Sequence, residues 1–211
     1  MPRQRQPAQR PDPTALIVDA ALRLAAARGW RAVSLADVAA EAGVGMLDLY
    51  QVFRSKSAIL AAFRRRVDAA VLAGAGRDEG PGERPRDALF DTLMRRFDAL
   101  LSHKAAVAAI LADGPRDPLA ALCGLPALLQ SMAWMLEASG VPAGGWAGRV
   151  RVKLVLGIYL SVLHVWLADA SPDMARTMAV LDRRLRRVEP LLALRRGADA
   201  GGGATALAGE A

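Results

Sequence analysis

The stretch Gly29–Leu60, GWRAVSLADVAAEAGVGMLDLYQVFRSKSAIL, constrains this chain more than any other. Ser34 and Asp37 have the spacing of a capping box, with Asp where Glu is usual. Val38, Ala39 and Ala42 repeat at helical spacing, and the alanines are small enough to let a second helix come close. Gly43 supplies a left-handed turn, Val44 plugs the space beneath it, and Leu49 and Phe53 hold the next helix inward. Two short helices joined by so tight a turn cannot bury their apolar faces alone. They need a third helix, and the sequence places one upstream, from Thr14 as N-cap to Gly29, with Ile17, Ala20, Ala21, Leu24 and Ala27 on its apolar face. Further helices are expected over Ser34–Glu41, Gly45–Val52 and Ser55–Ala73, which makes residues 13–73 one head with its helix-turn-helix near 33–52.

Composition extends the helical reading to the whole chain. Ala and Leu dominate a hydrophobic share of 53%, aromatics reach only 5%, and Asn is absent, so hairpin turns have little to form from. The fold class is therefore all-α: a three-helix head followed by a helical ligand-binding and dimerisation domain over 86–194. Gly74–Pro85 (GAGRDEGPGERP) reads as the loop between them. Helices are expected at Arg86–Ser102, Lys104–Ala112, Pro118–Ser139 (broken near Gly124–Pro126), Arg149–Ala168, and from Ser171-Pro172 to about Glu189. Residues 1–12 read as a disordered basic arm, and 195–211, rich in Gly and Ala, as a disordered tail.

The net charge of +7 is unevenly placed. Residues 1–66 carry a surplus of six positive charges and the remainder a surplus of one. A local basic excess points to a polyanionic partner. The single cysteine, Cys123, excludes an intramolecular disulfide and suits a cytoplasmic protein. The longest apolar run, Leu154–Ala168, is shorter than the roughly 20 residues of a spanning helix, so no stable membrane insertion is expected.

The helix after Gly43 turns Met46, Leu47, Asp48 and Gln51 outward. Tyr50 offers a hydroxyl, Lys56 a charge, and Ser34 opens a helix whose first N–H groups can meet a phosphate. In order and spacing, Gly29-Trp30, Ser34-Leu35, Val38-Ala39, Ala42-Gly43-Val44, Leu49-Tyr50, Phe53, Ser55-Lys56 and Leu60 resemble the TetR family of transcriptional regulators. The resemblance implies a cytoplasmic homodimeric repressor that binds a palindromic double-stranded operator and answers to a small hydrophobic effector. It assigns DNA contact to Ser34, Gly45, Met46, Leu47, Asp48, Tyr50, Gln51 and Lys56. The chain departs from the family's pattern at Gly45, where Ser or Thr is usual, at Met46, and at the acidic Asp48. Asp can accept from cytosine N4, and Met or Leu can touch a thymine methyl.

Arg86-Asp87-Ala88, Ser131–Gly140, Gly157-Ile158-Tyr159 and Ala170-Ser171-Pro172-Asp173 resemble the ubiquinone-biosynthesis accessory family. That resemblance implies the alternative function, a lipid-binding protein on the same fold that does not bind DNA.

The helices over Arg86–Ala168 supply many apolar inward positions, and they are expected to enclose an apolar cavity with Trp134, Met135, Tyr159 and His164 in its wall. The Arg149–Ala168 helix should pack on its successor and meet a symmetry mate in a four-helix contact through Leu156 and Leu163. His103, His164 and Cys123 have no zinc-binding spacing, and no catalytic set of residues can be assembled. No cofactor, metal or enzymatic activity is expected.

Overall fold

The computed structural model describes residues 12–75, 84–114 and 118–192, the side chains of 118–121 excepted. The expected tail, nearly all of the basic arm and most of the Gly74–Pro85 loop lie outside the described residues. The described residues form helices α1 (Pro13–Arg28), α2 (Leu35–Ala42), α3 (Met46–Val52), α4 (Lys56–Gly74), α5 (Pro85–Leu101), α6 (Lys104–Asp113), α7 (Pro118–Ala138), α8 (Gly145–Ala168) and α9 (Ala175–Leu192), with no strand among them.

Helix α1 is capped two residues earlier than the expected Thr14. The Asp12 carboxylate is the cap, accepting from the Thr14 amide at 2.9 Å, and Pro13 fills the first turn where its missing N–H costs nothing. Ile17, Val18, Ala20, Ala21, Leu22 and Ala25 bury the inner face of α1 against α2, α4 and α6. The long helix α4 leaves this head and packs on α5 and α7. Helices α5, α7, α8 and α9 complete the body, α5 lying against α7 and α9, and α8 between them. One continuous apolar core runs from Ile17 to Leu192.

Four local expectations are corrected. Helix α7 runs unbroken through Gly124–Pro126; Pro126 has no N–H for the carbonyl of Leu122, but Leu122 is 63% exposed and water can serve that group. Helix α8 starts at Gly145 rather than Arg149 because residue 143 folds back onto its first turn. A Cβ at Gly148 would stand 2.1 Å from the Ala143 carbonyl, so only glycine allows this approach. Helix α9 starts at Ala175, not at Ser171-Pro172. The buried carboxylate of Asp169 accepts from the Thr177 amide (2.8 Å) and hydroxyl (2.7 Å) and from Ser171, and so holds residues 171–174 as a turn with Met174 at φ 54°. Leu156 and Leu163 do not face outward for a partner; they are 6% and 4% exposed within the single chain. Helix α8, at 24 residues, is also longer than the apolar run suggested. By length and composition it could cross a bilayer, but half of its apolar window is buried inside the protein.

Candidate nucleic-acid interface and effector core

The α2–turn–α3 unit is fixed entirely by local chemistry. Ser34 and Asp37 form the expected capping box: the Ser34 amide donates to Asp37 Oδ2 at 2.9 Å and the Asp37 amide to Ser34 Oγ at 3.1 Å. The Ser34 hydroxyl also donates to Asp37 at 2.7 Å. These bonds from Ser34 lower the Asp37 pKa. Gly43 is left-handed (φ 67°, ψ 30°), and the Gly43 and Val44 amides return to the Ala40 and Ala39 carbonyls. That closure is a Schellman motif, which stops α2 and turns the chain sharply into α3. Leu49 (1% exposed) and Phe53 (4%) anchor α3 to the core.

The opposite face of α3 is unused by the fold. Met46 is 53% exposed, Leu47 68% and Tyr50 57%, and Asp48 and Gln51 are exposed with them. Three of the residues assigned to DNA are already committed elsewhere. Ser34 spends its hydroxyl on the capping box. Asp48 folds back to accept from the Gly45 amide at 3.2 Å, so its carboxylate caps α3 instead of standing ready for a base. Lys56 points inward: its Nζ donates to the Trp30 carbonyl at 2.7 Å and sits 4.6 Å from the centre of the indole ring. Burial lowers the Lys56 pKa, against the pull of Asp113. Sequence reasoning missed Arg54, which is exposed two residues beyond α3 with its guanidinium 5.7 Å from the Tyr50 ring. The signal was there, a cation directly after the exposed helix.

Head and body meet at a charged junction. Arg66 of α4 donates to Asp19 of α1 at 2.7 Å and lies 3.3 Å from His103 Nε2, whose ring stands edge-on to Phe63. The Arg31 amide donates to Asp113 at the end of α6, at 2.8 Å. Beside His103, a hollow of about 130 Å³ is lined by Leu22, Arg23, Ala26 and Ala106. Burial, and then Arg66, lower the His103 pKa against the opposing effect of Asp19. The neutral ring is thus favoured on folding. Its stabilisation is complete above the unfolded value of about 6.5 and is lost as pH falls below that value. The melting temperature should therefore drop between about pH 7 and pH 5, and His103→Gln should remove part of that slope. An identical slope in the variant would show that His103 does not titrate on unfolding.

The four residues assigned to a cavity wall do not come together. Met135 and Tyr159 are buried (0% and 4% exposed), but Trp134 is 53% exposed and His164 lies on the surface, its Nδ1 2.8 Å from the Leu160 carbonyl. Phe97 stacks on Tyr159 at 5.5 Å and lies 5.8 Å from Trp166, so aromatic rings pack the interior beside Tyr159. The core instead holds a polar cluster. Arg96 of α5, 2% exposed, donates to Asp68 of α4, which also accepts from Ser131 Oγ of α7 at 2.6 Å. The guanidinium lies 5.3 Å from the Tyr159 ring. Arg96 Nε and Trp166 Nε1 are buried with no partner. Among the described residues no group of His, Cys, Asp and Glu is placed to hold a metal ion.

Residues 17–63 match the family model for bacterial regulatory proteins of the tetR family, and residues 151–191 match the COQ9 family model. Both resemblances read from the sequence are therefore present, at opposite ends of the chain. No curated protein matches significantly. Among solved structures, a TetR transcriptional regulator from Nitrosomonas europaea superposes with TM-score 0.68 at 24% identity, covering 82% of this chain and 96% of that one. A TetR transcriptional regulator from Rhodococcus sp. RHA1 gives 0.63 at 21% identity over 86% and 96% of the two chains. A TetR-like regulator from the same organism gives 0.54 at 21% identity over 87% and 97%. The chain has the all-α fold of these regulators.

Proposed function

We propose that this chain is a homodimeric transcriptional repressor that binds a palindromic operator and releases it on binding a small hydrophobic effector. The observation that carries the reading is the α2–turn–α3 unit, built rigidly by its own caps, with the outward face of α3 left unused. A helix held that way fits the major groove, and a two-fold dimer would present two copies about 34 Å apart. Met46 and Leu47 are the residues to read thymine methyl groups, and Gln51 an adenine edge. Arg54 and Tyr50 take the phosphate role in place of Lys56. The outer stripe of α8, with Trp146 (75% exposed), Val150 (38%) and His164, supports self-association. A cytoplasmic location follows from the DNA role.

The test uses an operator selected from random duplex. Leu47→Ala and Gln51→Ala should change which bases are preferred, by about 1–3 kcal/mol at the affected positions. Replacing the operator's thymines by uracil, which removes only the methyl, should weaken the wild-type chain and leave Leu47→Ala nearly unaffected. Arg54→Ala should flatten the salt dependence by about one unit, and Lys56→Ala should leave it unchanged. A flattened slope for Lys56→Ala alone would restore that residue as the phosphate contact.

The match of residues 151–191 to the COQ9 model favours a second reading, a lipid-binding accessory protein on this fold that does not bind DNA. The absence of a basic side chain on α3 suits it. It differs in one outcome: no duplex sequence would be preferred.

A further inference from the structure

The donors around Asp68 have the form of a carboxylate site that is already occupied, by a carboxylate of the chain itself. Arg96 from α5 and Ser131 from α7 both donate to Asp68 Oδ1. Asp68 belongs to α4, the helix that carries the head into the body. Arg64, a second cation, lies on the same helix one turn before Asp68. The cluster has a donor to spare: Arg96 Nε, on a residue 2% exposed, bonds to nothing. A buried donor without a partner is costly, and an incoming acceptor would recover that cost. The walls are apolar and compliant. Phe97 stacks on Tyr159 and lies tilted against Trp166, and Met132 and Met135, both 0% exposed, follow Ser131 on the same helix. Methionine has three flexible bonds and repacks at low cost, so a core filled by it can open for a ligand.

We propose that this cluster is the effector site and that its ligand is a hydrophobic monocarboxylic acid. The acid carboxylate takes Arg96 and Ser131 from Asp68, its apolar body displaces Met132 and Met135 against the ring stack, and α4 loses its tether to α5 and α7. The coupling to DNA rests on the repressor reading above; the binding chemistry does not. An amine would meet the Arg96 guanidinium and should not take the place of the carboxylate. A neutral amide offers an acceptor without the charge and should bind weakly.

The experiment is calorimetric titration of the full chain, without DNA, using octanoate and phenylacetate against octanamide and phenylacetamide. The acids should bind, and the amides should bind at least about tenfold more weakly. Ser131→Ala should weaken the acids. Asp68→Asn removes the internal competitor, so it should tighten them by about tenfold or more; a misfolded variant could not gain affinity in this way. Saturating octanoate should also speed hydrogen exchange of the α4 amides, a readout that needs no operator. Equal binding of acids and amides, or no gain in Asp68→Asn, overturns the site. Acid binding with α4 exchange unchanged overturns its coupling to the head. Failure to find an operator leaves both of these results standing and removes only the repressor reading.

Discussion

Arg96→Met should lower folding stability by about 3–5 kcal/mol, the range for breaking one side of a buried ion pair. Methionine matches the length of the arginine stem and keeps most of its packing, so the loss falls on Asp68. That side chain is 15% exposed and would retain only the Ser131 hydroxyl. Its remaining contact with solvent places the effect at the lower end of the range. The double variant Arg96→Met with Asp68→Leu should recover much of the loss, because it removes both charges and leaves apolar contacts in their place. Urea unfolding at a fixed chain concentration measures both effects and allows for coupling to assembly. A single variant within about 1 kcal/mol of wild type would mean that the pair contributes no more than an exposed one.

Asp169→Ala should lower the melting temperature clearly, since it leaves the donors of Thr177 without a partner. The side chain is 6% exposed and accepts four hydrogen bonds, two from Thr177 and two from Ser171. Thr177 is fully buried, so its amide and hydroxyl cannot turn to water in exchange. The same bonds, from Ser171 first and then Thr177, hold the Asp169 pKa well below the ordinary carboxylate range against the opposing effect of burial. A depressed carboxylate stabilises the fold above its unfolded value of about 3.9 and loses that contribution as pH falls through the range below. Wild type should therefore lose stability on acidification below about pH 4, and Asp169→Asn, which cannot titrate, should lack that component. An unchanged acid limb in the variant would contradict the assignment.

Local periodicity and capping made most of the helical layout legible. The capping box at Ser34 and Asp37 and the turn at Gly43 were readable because their chemistry lies within a few residues. So was the outward phase of α3, where Leu49 and Phe53 fix which side faces in and leave Met46, Leu47, Tyr50 and Gln51 on the other. The capping role of Asp48 was not read although it repeats the three-residue capping spacing, because Gly45 offers no hydroxyl to complete the pattern. The inward turn of Lys56 was hidden for another reason. Its partner, the Trp30 carbonyl, is 26 residues away and comes within reach only when α4 folds onto the end of α1.

The residues assigned to the effector pocket were grouped without a readable helix phase. Helix α8 is apolar on nearly every side, so its sequence does not say which positions turn inward, and Leu156 and Leu163 were placed outside when they lie inside. The same ambiguity on α7 grouped Trp134 with Met135, adjacent residues that face opposite ways. The Asp68–Arg96–Ser131 cluster joins three helices across 28 and 63 residues of separation, and no local pattern marks it.

The central claim is that α3 reads sequence. Its most direct test is the affinity of the purified full chain for its own best selected duplex, compared with a random duplex, by fluorescence anisotropy at about 0.15 M salt. A preference of about a thousandfold or more is expected, the range of specific binders. Equal affinities for the two duplexes, falling together as salt rises, would contradict it: the basic head would then hold DNA by charge alone.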